Sequence, residues 1–205
     1  MRVNILGAGA RGWEKAPFDD EGAGQFWGVN DTVLYVPKID VLVDCHNLKN
    51  VIKGKEKIRR SPDVVRACLK KIKKSGVVCY STKEVKNVPN IKRYPLKEII
   101  KEFDSDYFGS GPDYALALAI YKGATEIHTY GVLMVCNDEY YDQKPTFEQW
   151  LGIAKGRGIK TVIHDHNNLA SILKLPRGHL YGFNIPQRFE QHYIDNPKIF
   201  LESYS

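Results

Sequence analysis

No apolar run in the 205 residues approaches the roughly 18 that a membrane helix needs, so no membrane partner is expected. The start also lacks a basic segment followed by a long apolar stretch. No secretory signal is therefore expected, and a cytoplasmic location is. Cysteine is scarce. The four present, Cys45, Cys68, Cys79 and Cys136, form no C-x-x-C pair, which argues against a zinc knuckle or a thioredoxin-like site. Their wide spacing suits a reduced compartment, with Cys68 and Cys79 as small core side chains. Internal repeats and low-complexity segments are absent.

Acidic residues are in deficit: 24 Asp and Glu face 30 Lys and Arg, a formal charge of +6. Much of the excess lies between Lys49 and Lys74, including Lys53, Lys55, Lys57, Arg59, Arg60, Lys70, Lys71, Lys73 and Lys74. Such a cluster fits either a nucleic-acid surface or a solvated helix face and loop. It lacks the interleaved aromatics of single-strand binders, so nucleic acid is not the expected partner.

Hydrophobic residues make up 43% of the chain, enough for a proper core. Apolar runs at Val3–Leu6, Phe26–Val29, Ile39–Cys45, Val77–Tyr80, Ile127–Met134 and Ile159–Ile163 read as strands. Helical periodicity follows Ser61-Pro62-Asp63 to about Lys74, and recurs over Pro95–Phe103, Pro112–Lys122 and Thr146–Lys155. Lys49 to Arg60 reads as a basic connector, and Lys83 to Tyr94 as a polar loop with a short edge strand. Strands alternating with helices predict an α/β, Rossmann-like, mostly parallel sheet over residues 1–175. The Pro-, Gly- and aromatic-rich residues 176–205 predict an extended C-terminal arm, with a short helix near Gln187 to Tyr193. The arm would pack on the domain or on a partner subunit, giving a homo-oligomer.

Four features carry chemistry. The first is Gly7-x-Gly9-x-x-Gly12 after a strand, with Asp31 at the distance of a ribose-binding acid. A dinucleotide domain also needs a full helix after the third glycine. Here Pro17 and the acidic cluster Asp19-Asp20-Glu21 leave room for little more than one turn. A different nucleotide, or a tight turn with no ligand, fits better than NAD. The second is Gly109-Ser110-Gly111-Pro112, a helix start whose amides and hydroxyl suit an anion or simply cap the helix. The third is the pair Tyr140-Tyr141 in the loop after a strand, able to hold a phosphate, stack on a ring or cover the sheet edge. The fourth is His164-Asp165-His166. One of its histidines can act as a base, or the pair can bind a metal with His46 or Asp44 as third ligand. A plain hydrogen-bonded loop fits as well.

These motifs resemble a known group. Ile5-Leu6-Gly7-Ala8-Gly9-Ala10-Arg11-Gly12, followed by Phe26-Trp27-Gly28-Val29-Asn30-Asp31, is similar to the start of a Rossmann-like superfamily. That superfamily holds bacterial CMP-sialic acid-dependent sialyltransferases and 6-hydroxymethylpterin diphosphokinase-like proteins. The block from Ser110-Gly111-Pro112 through the alanine-rich helix to Glu126-Ile127-His128-Thr129-Tyr130-Gly131-Val132 resembles the group's most recognisable stretch. Small bacteriophage proteins share the layout, including the ending at Trp150 to Lys160. Ala10 and Arg11 stand where the group usually has Pro-Ser, and Met134 where an acid is usual.

The resemblance implies a site in which Gly7, Gly9, Asn30, Ser110, Gly111, Tyr140 and Tyr141 contact a nucleotide. The expected function is transfer from an activated nucleotide donor, a nucleotide-sugar or a pyrophosphate donor. Backbone turns at Gly7, Gly9 and Gly12 and at Ser110 and Gly111 would hold the phosphates. Asn30 would orient the ribose or base, with Asp31 placed to meet a ribose, Tyr140 and Tyr141 would stabilise the leaving phosphate, and His164 or His166 would be the base. No residue is assigned to a metal, and participation of Mg²⁺ is left open. The alternative is a non-catalytic nucleotide or signalling-molecule binder of phage or bacterial origin, acting in the cytoplasm, or in the host cytoplasm if phage-encoded.

Overall fold

The computed structural model describes residues 1–56, 58–134 and 138–164. The arm expected at 176–205, its helix, its oligomer contact and His166 lie outside the described residues. Seven strands form one sheet: β1 (Arg2–Leu6), β2 (Gln25–Val29), β3 (Val41–Asp44), β4 (Val78–Ser81), β5 (Ile91–Arg93), β6 (Glu126–Tyr130) and β7 (Lys160–Ile163). Their order is β5-β4-β3-β2-β1-β6-β7, and every pairing is parallel. The order reverses at β1: the chain first builds outward to β5, then returns to add β6 and β7 on the other side.

Among the described residues five α-helices flank the sheet: α1 (Leu48–Ile52), α2 (Pro62–Ser75), α3 (Leu96–Phe103), α4 (Gly111–Tyr121) and α5 (Asp138–Gly156). One face packs Val3, Ile5, Trp27, Val29 and Ile127 against α3, α4 and α5. Residues 115–120 of α4 are all buried. The helix is sandwiched between the sheet and its neighbours, so it is apolar all round rather than striped. Trp150 of α5 donates its indole N–H to the Tyr107 carbonyl at 3.0 Å and stacks on Phe108. The opposite face is covered in two parts. Helices α1 and α2 cover Leu42, Cys79 and Ile91. Over Leu6, Phe26 and Tyr130 the cover is made by 3-10 turns at Gly9–Lys15 and Glu21–Ala23. The helix missing after Gly12 is thus replaced by short turns, in line with the break predicted at Pro17.

Local chemistry sets the boundaries. Ser61 Oγ accepts from the Val64 amide, Pro62 opens α2, and Gly76 closes it in the left-handed region with φ 72°. Three expectations need correction. Helix α1 occupies the supposed basic connector: Asn47 Oδ1 accepts from the Asn50 amide at 3.2 Å, and Leu48 and Val51 are buried. β6 stops at Tyr130 rather than Met134, because Gly131 turns the backbone away with φ 66°. α5 begins at Asp138 and carries Pro145 inside it, so it starts eight residues before the expected Thr146. The lysines at 70, 71, 73 and 74 are exposed, as on a solvated helix face. No helix among the described residues is long and apolar enough to cross a membrane. Cys45, Cys68 and Cys79 are free thiols.

Candidate functional site

A cavity of about 500 Å³ opens at the carboxyl ends of β1, β2, β3 and β6, where the strand order reverses. Open α/β sheets place their ligands at such switch points. Gly7, Gly9, Asn30, Asp31, Ser110 and Gly111 all line it, so two turns far apart in sequence share one space. Arg59, Arg60 and His46 form another wall, and Val132, Leu133 and Met134 a third. Gly12 is buried beside the cavity and is not part of its lining.

The glycines have a packing role. A Cβ on Gly7 would stand 2.8 Å from the Gly131 carbonyl carbon, and one on Gly9 would stand 2.7 Å from the Gly131 oxygen. One on Gly131 would meet the Gly7 oxygen at 2.6 Å. Across this close approach the Gly7 amide donates to the Tyr130 carbonyl and the Gly9 amide to the Gly131 carbonyl, both at 2.8 Å. These two amides are therefore committed to the protein, which corrects the expectation that they stand open for phosphate. The Ala8 amide has no partner among the described residues.

The second turn is partly occupied as well. Asp113 Oδ2 accepts from the Gly109 amide at 2.7 Å, the Ser110 amide at 2.8 Å and Thr146 Oγ1 at 2.7 Å. Its Oδ1 accepts from Ser110 Oγ at 2.7 Å. Burial pushes this carboxyl up, against the pull of four donors. The carboxylate thus plugs the inner half of the turn and ties α4 to α5. Gly111, at the cavity end, keeps an amide with no partner among the described residues.

Between the turns stands Asn30. Its backbone is left-handed, with φ 56°, an unfavourable conformation for a residue with a side chain. Its Oδ1 is buried with no hydrogen-bond partner in the structure. A left-handed backbone and an unsatisfied buried amide oxygen thus coincide at the cavity lining. Asp31 follows it into the lining.

Sequence reasoning had weighed Asp44 and His46 only as metal ligands. Asp44 ends β3 fully buried. Arg60 donates to it twice, Nη1 to Oδ2 at 2.7 Å and Nη2 to Oδ1 at 2.8 Å. His46 Nδ1 lies 2.7 Å from Asp44 Oδ1. Burial alone would raise the carboxyl, but the bonds from His46 and Arg60 hold it below its ordinary value. The signal was present in the spacing Asp-x-His at a strand's carboxyl end, but nothing in the sequence announced Arg60 as the closing partner.

His164 does not line the cavity. It lies at the end of β7, stacked on Tyr130 with ring centroids 4.1 Å apart, and its Nε2 is 2.8 Å from His128 Nδ1. His128 Nε2 in turn meets Glu126 Oε1 at 2.7 Å. Burial pulls the His128 imidazole down, and the His128 and Lys160 contacts hold Glu126 below its ordinary value. A metal shared between His164 and His46 or Asp44 is contradicted by the strand order. β3 and β7 are four strand spacings apart, about 19 Å. Tyr140 and Tyr141 have their backbone in the first turns of α5 rather than in a loop; their side chains lie outside the described residues.

No protein-family model matches the chain, and no curated protein matches it in sequence. Solved structures do match in fold. The sialyltransferase CstII from Campylobacter jejuni with the substrate analogue CMP-3FNeuAc has a TM-score of 0.55 and 15% identity, covering 92% of this chain and 88% of that one. CST-II with a trisaccharide acceptor and CMP has a TM-score of 0.55 and 14% identity, over 93% and 89% of the two chains. An apo α-2,3-sialyltransferase from Campylobacter jejuni has a TM-score of 0.53 and 12% identity, over 100% and 95%. The expected resemblance to sialyltransferases is thus met at the level of the fold, and these structures lend no support to its diphosphokinase-like and bacteriophage parts. The chain shares the parallel α/β fold of these sialyltransferases.

Proposed function

We propose that the protein is a glycosyltransferase-like transferase whose donor is a nucleotide-sugar, with CMP as the first nucleotide to test. The observation that carries this reading is the convergence on one switch-point cavity of Asn30, with its strained backbone and unpaired amide oxygen, and the unpartnered amides of Ala8 and Gly111. The shared fold supports the choice of donor, since CstII has been solved with CMP and with a CMP-sugar analogue. In this reading the Ala8 and Gly111 amides and the Arg59 side chain hold the phosphate. Asn30 and Asp31 orient the nucleoside.

A thermal-shift panel of CMP, CDP, UDP, GDP and ATP, with and without Mg²⁺, tests the reading. A ligand at one hundred times its dissociation constant adds about 2.7 kcal/mol of stability. Stabilisation by CMP together with consumption of a CMP-sugar supports the transferase. Stabilisation without turnover favours a non-catalytic binder. No response across the panel refutes the nucleotide site.

A further inference from the structure

Histidines had been assigned to the base role at 164 and 166, yet among the described residues the one histidine on the cavity wall is His46. It is held from two sides. Its carbonyl oxygen accepts from Ser81 Oγ at 2.9 Å and from Thr82 Oγ1 at 3.1 Å, which pins the backbone to the end of β4. Its ring nitrogen Nδ1 faces the buried Asp44 carboxylate at 2.7 Å, with Arg60 Nη2 at 3.0 Å. A bare Nδ1 lone pair against that carboxylate would be repulsive at the shorter distance. The proton therefore sits on Nδ1, donated to Asp44, and Nε2 keeps its lone pair. Arg60 neutralises Asp44 through two bonds, so the carboxylate orients the ring without needing to take its proton. This is the histidine–carboxylate arrangement that lets an imidazole accept a proton at its far nitrogen.

We propose that His46 is the general base of a transfer reaction in this cavity, acting on the acceptor hydroxyl. The inference rests on the donor-site reading above. Nε2 takes the hydroxyl proton as the acceptor oxygen forms its bond to the sugar's anomeric carbon. The bond from that carbon to the nucleotide's phosphate oxygen breaks, and its electron pair leaves with the nucleoside monophosphate. The new imidazolium keeps its Nδ1–H bond to Asp44 and passes the proton on Nε2 to water. The charged groups in contact with the ring are Asp44 from β3 and Arg60 from the segment before α2; Arg59 and Asp31 line the same cavity.

The test compares wild type with His46→Gln and His164→Gln, using CMP binding and consumption of a CMP-linked sugar as separate readouts. His46 is partly exposed, and its backbone contacts do not involve the ring, so the glutamine variant should fold. His46→Gln should keep CMP affinity within about threefold and lose about 10²–10⁴-fold in turnover. In ¹⁵N spectra the wild-type His46 ring should show a protonated Nδ1, and its Nε2 signal should move when CMP is added. Wild-type CMP binding with an unmoved His46 ring, unchanged turnover in His46→Gln, or loss in His164→Gln alone would overturn the assignment while leaving the donor site standing. Failure of wild type to bind any nucleotide would remove the donor site and this inference with it.

Discussion

Gly7→Ala is the sharpest test of why glycine stands at the end of β1. The added methyl would sit 2.8 Å from the Gly131 carbonyl carbon, against backbone that cannot swing away as a side chain can. The two strand ends must part by most of an ångström, about the difference between that distance and an ordinary carbon–carbon contact. Parting them loosens two hydrogen bonds, from the Gly7 and Gly9 amides, each 2.8 Å long. At about 1 kcal/mol each, plus about 1–3 kcal/mol for overpacking, the variant should lose about 3–5 kcal/mol. Urea denaturation followed by tryptophan fluorescence measures this, since Trp27 and Trp150 are buried. Gly152→Ala is the control: its added methyl would meet nothing within 4 Å beyond its chain neighbours and its own helix backbone, and it sits inside α5. That variant should gain up to about 1 kcal/mol. A loss below about 1 kcal/mol for Gly7→Ala would refute the close approach of Gly7 and Gly131.

Three further outcomes are expected. Asp113→Asn should cost under about 1.5 kcal/mol, because an amide oxygen can replace Oδ2 and its NH₂ can donate to Ser110 Oγ. Asp113→Ala should cost about 3 kcal/mol or more by orphaning buried donors; denaturant midpoints decide. Asp44 has a depressed folded-state pKa, so its contribution is present above the ordinary carboxylate range and is lost as pH falls through the folded value. The stability gap between wild type and Asp44→Asn, about 3 kcal/mol at neutral pH, should therefore narrow on acidification. Asn30→Gly should relieve the left-handed backbone and hold or raise stability by up to about 1 kcal/mol. Its CMP affinity, measured by calorimetry, should fall at least about tenfold.

Much of the fold was written in local patterns. β-branched runs marked the strands, and Ser61-Pro62 and Ser110-Gly111-Pro112 marked two helix starts, because caps act through neighbours in sequence. Helix α1 was hidden because its buried Leu48 and Val51 lie among lysines, leaving one short apolar edge to read. The start of α5 was hidden too: the residues before Thr146 are polar, and Pro145 lies inside the helix, where proline is normally disfavoured. The sequence pointed to Asn30, Ser110 and Gly111 because strand ends and helix starts are legible. What it could not show is which amides remain open. The Gly7 and Gly9 amides are used by the carbonyls of Tyr130 and Gly131, and the Gly109 and Ser110 amides by Asp113; the Gly7 and Gly9 bonds span more than 120 positions. Likewise, Arg60 closing on Asp44 and His46 is a meeting across a helix and loop, invisible to spacing alone.

The most direct test is an amide ¹H–¹⁵N titration of the protein with CMP. The signals of Ala8, Asn30, His46 and Gly111 should shift together along one binding curve. CMP that leaves those four in place, whether it binds elsewhere or not at all, would contradict a nucleotide site at the turning point of the sheet.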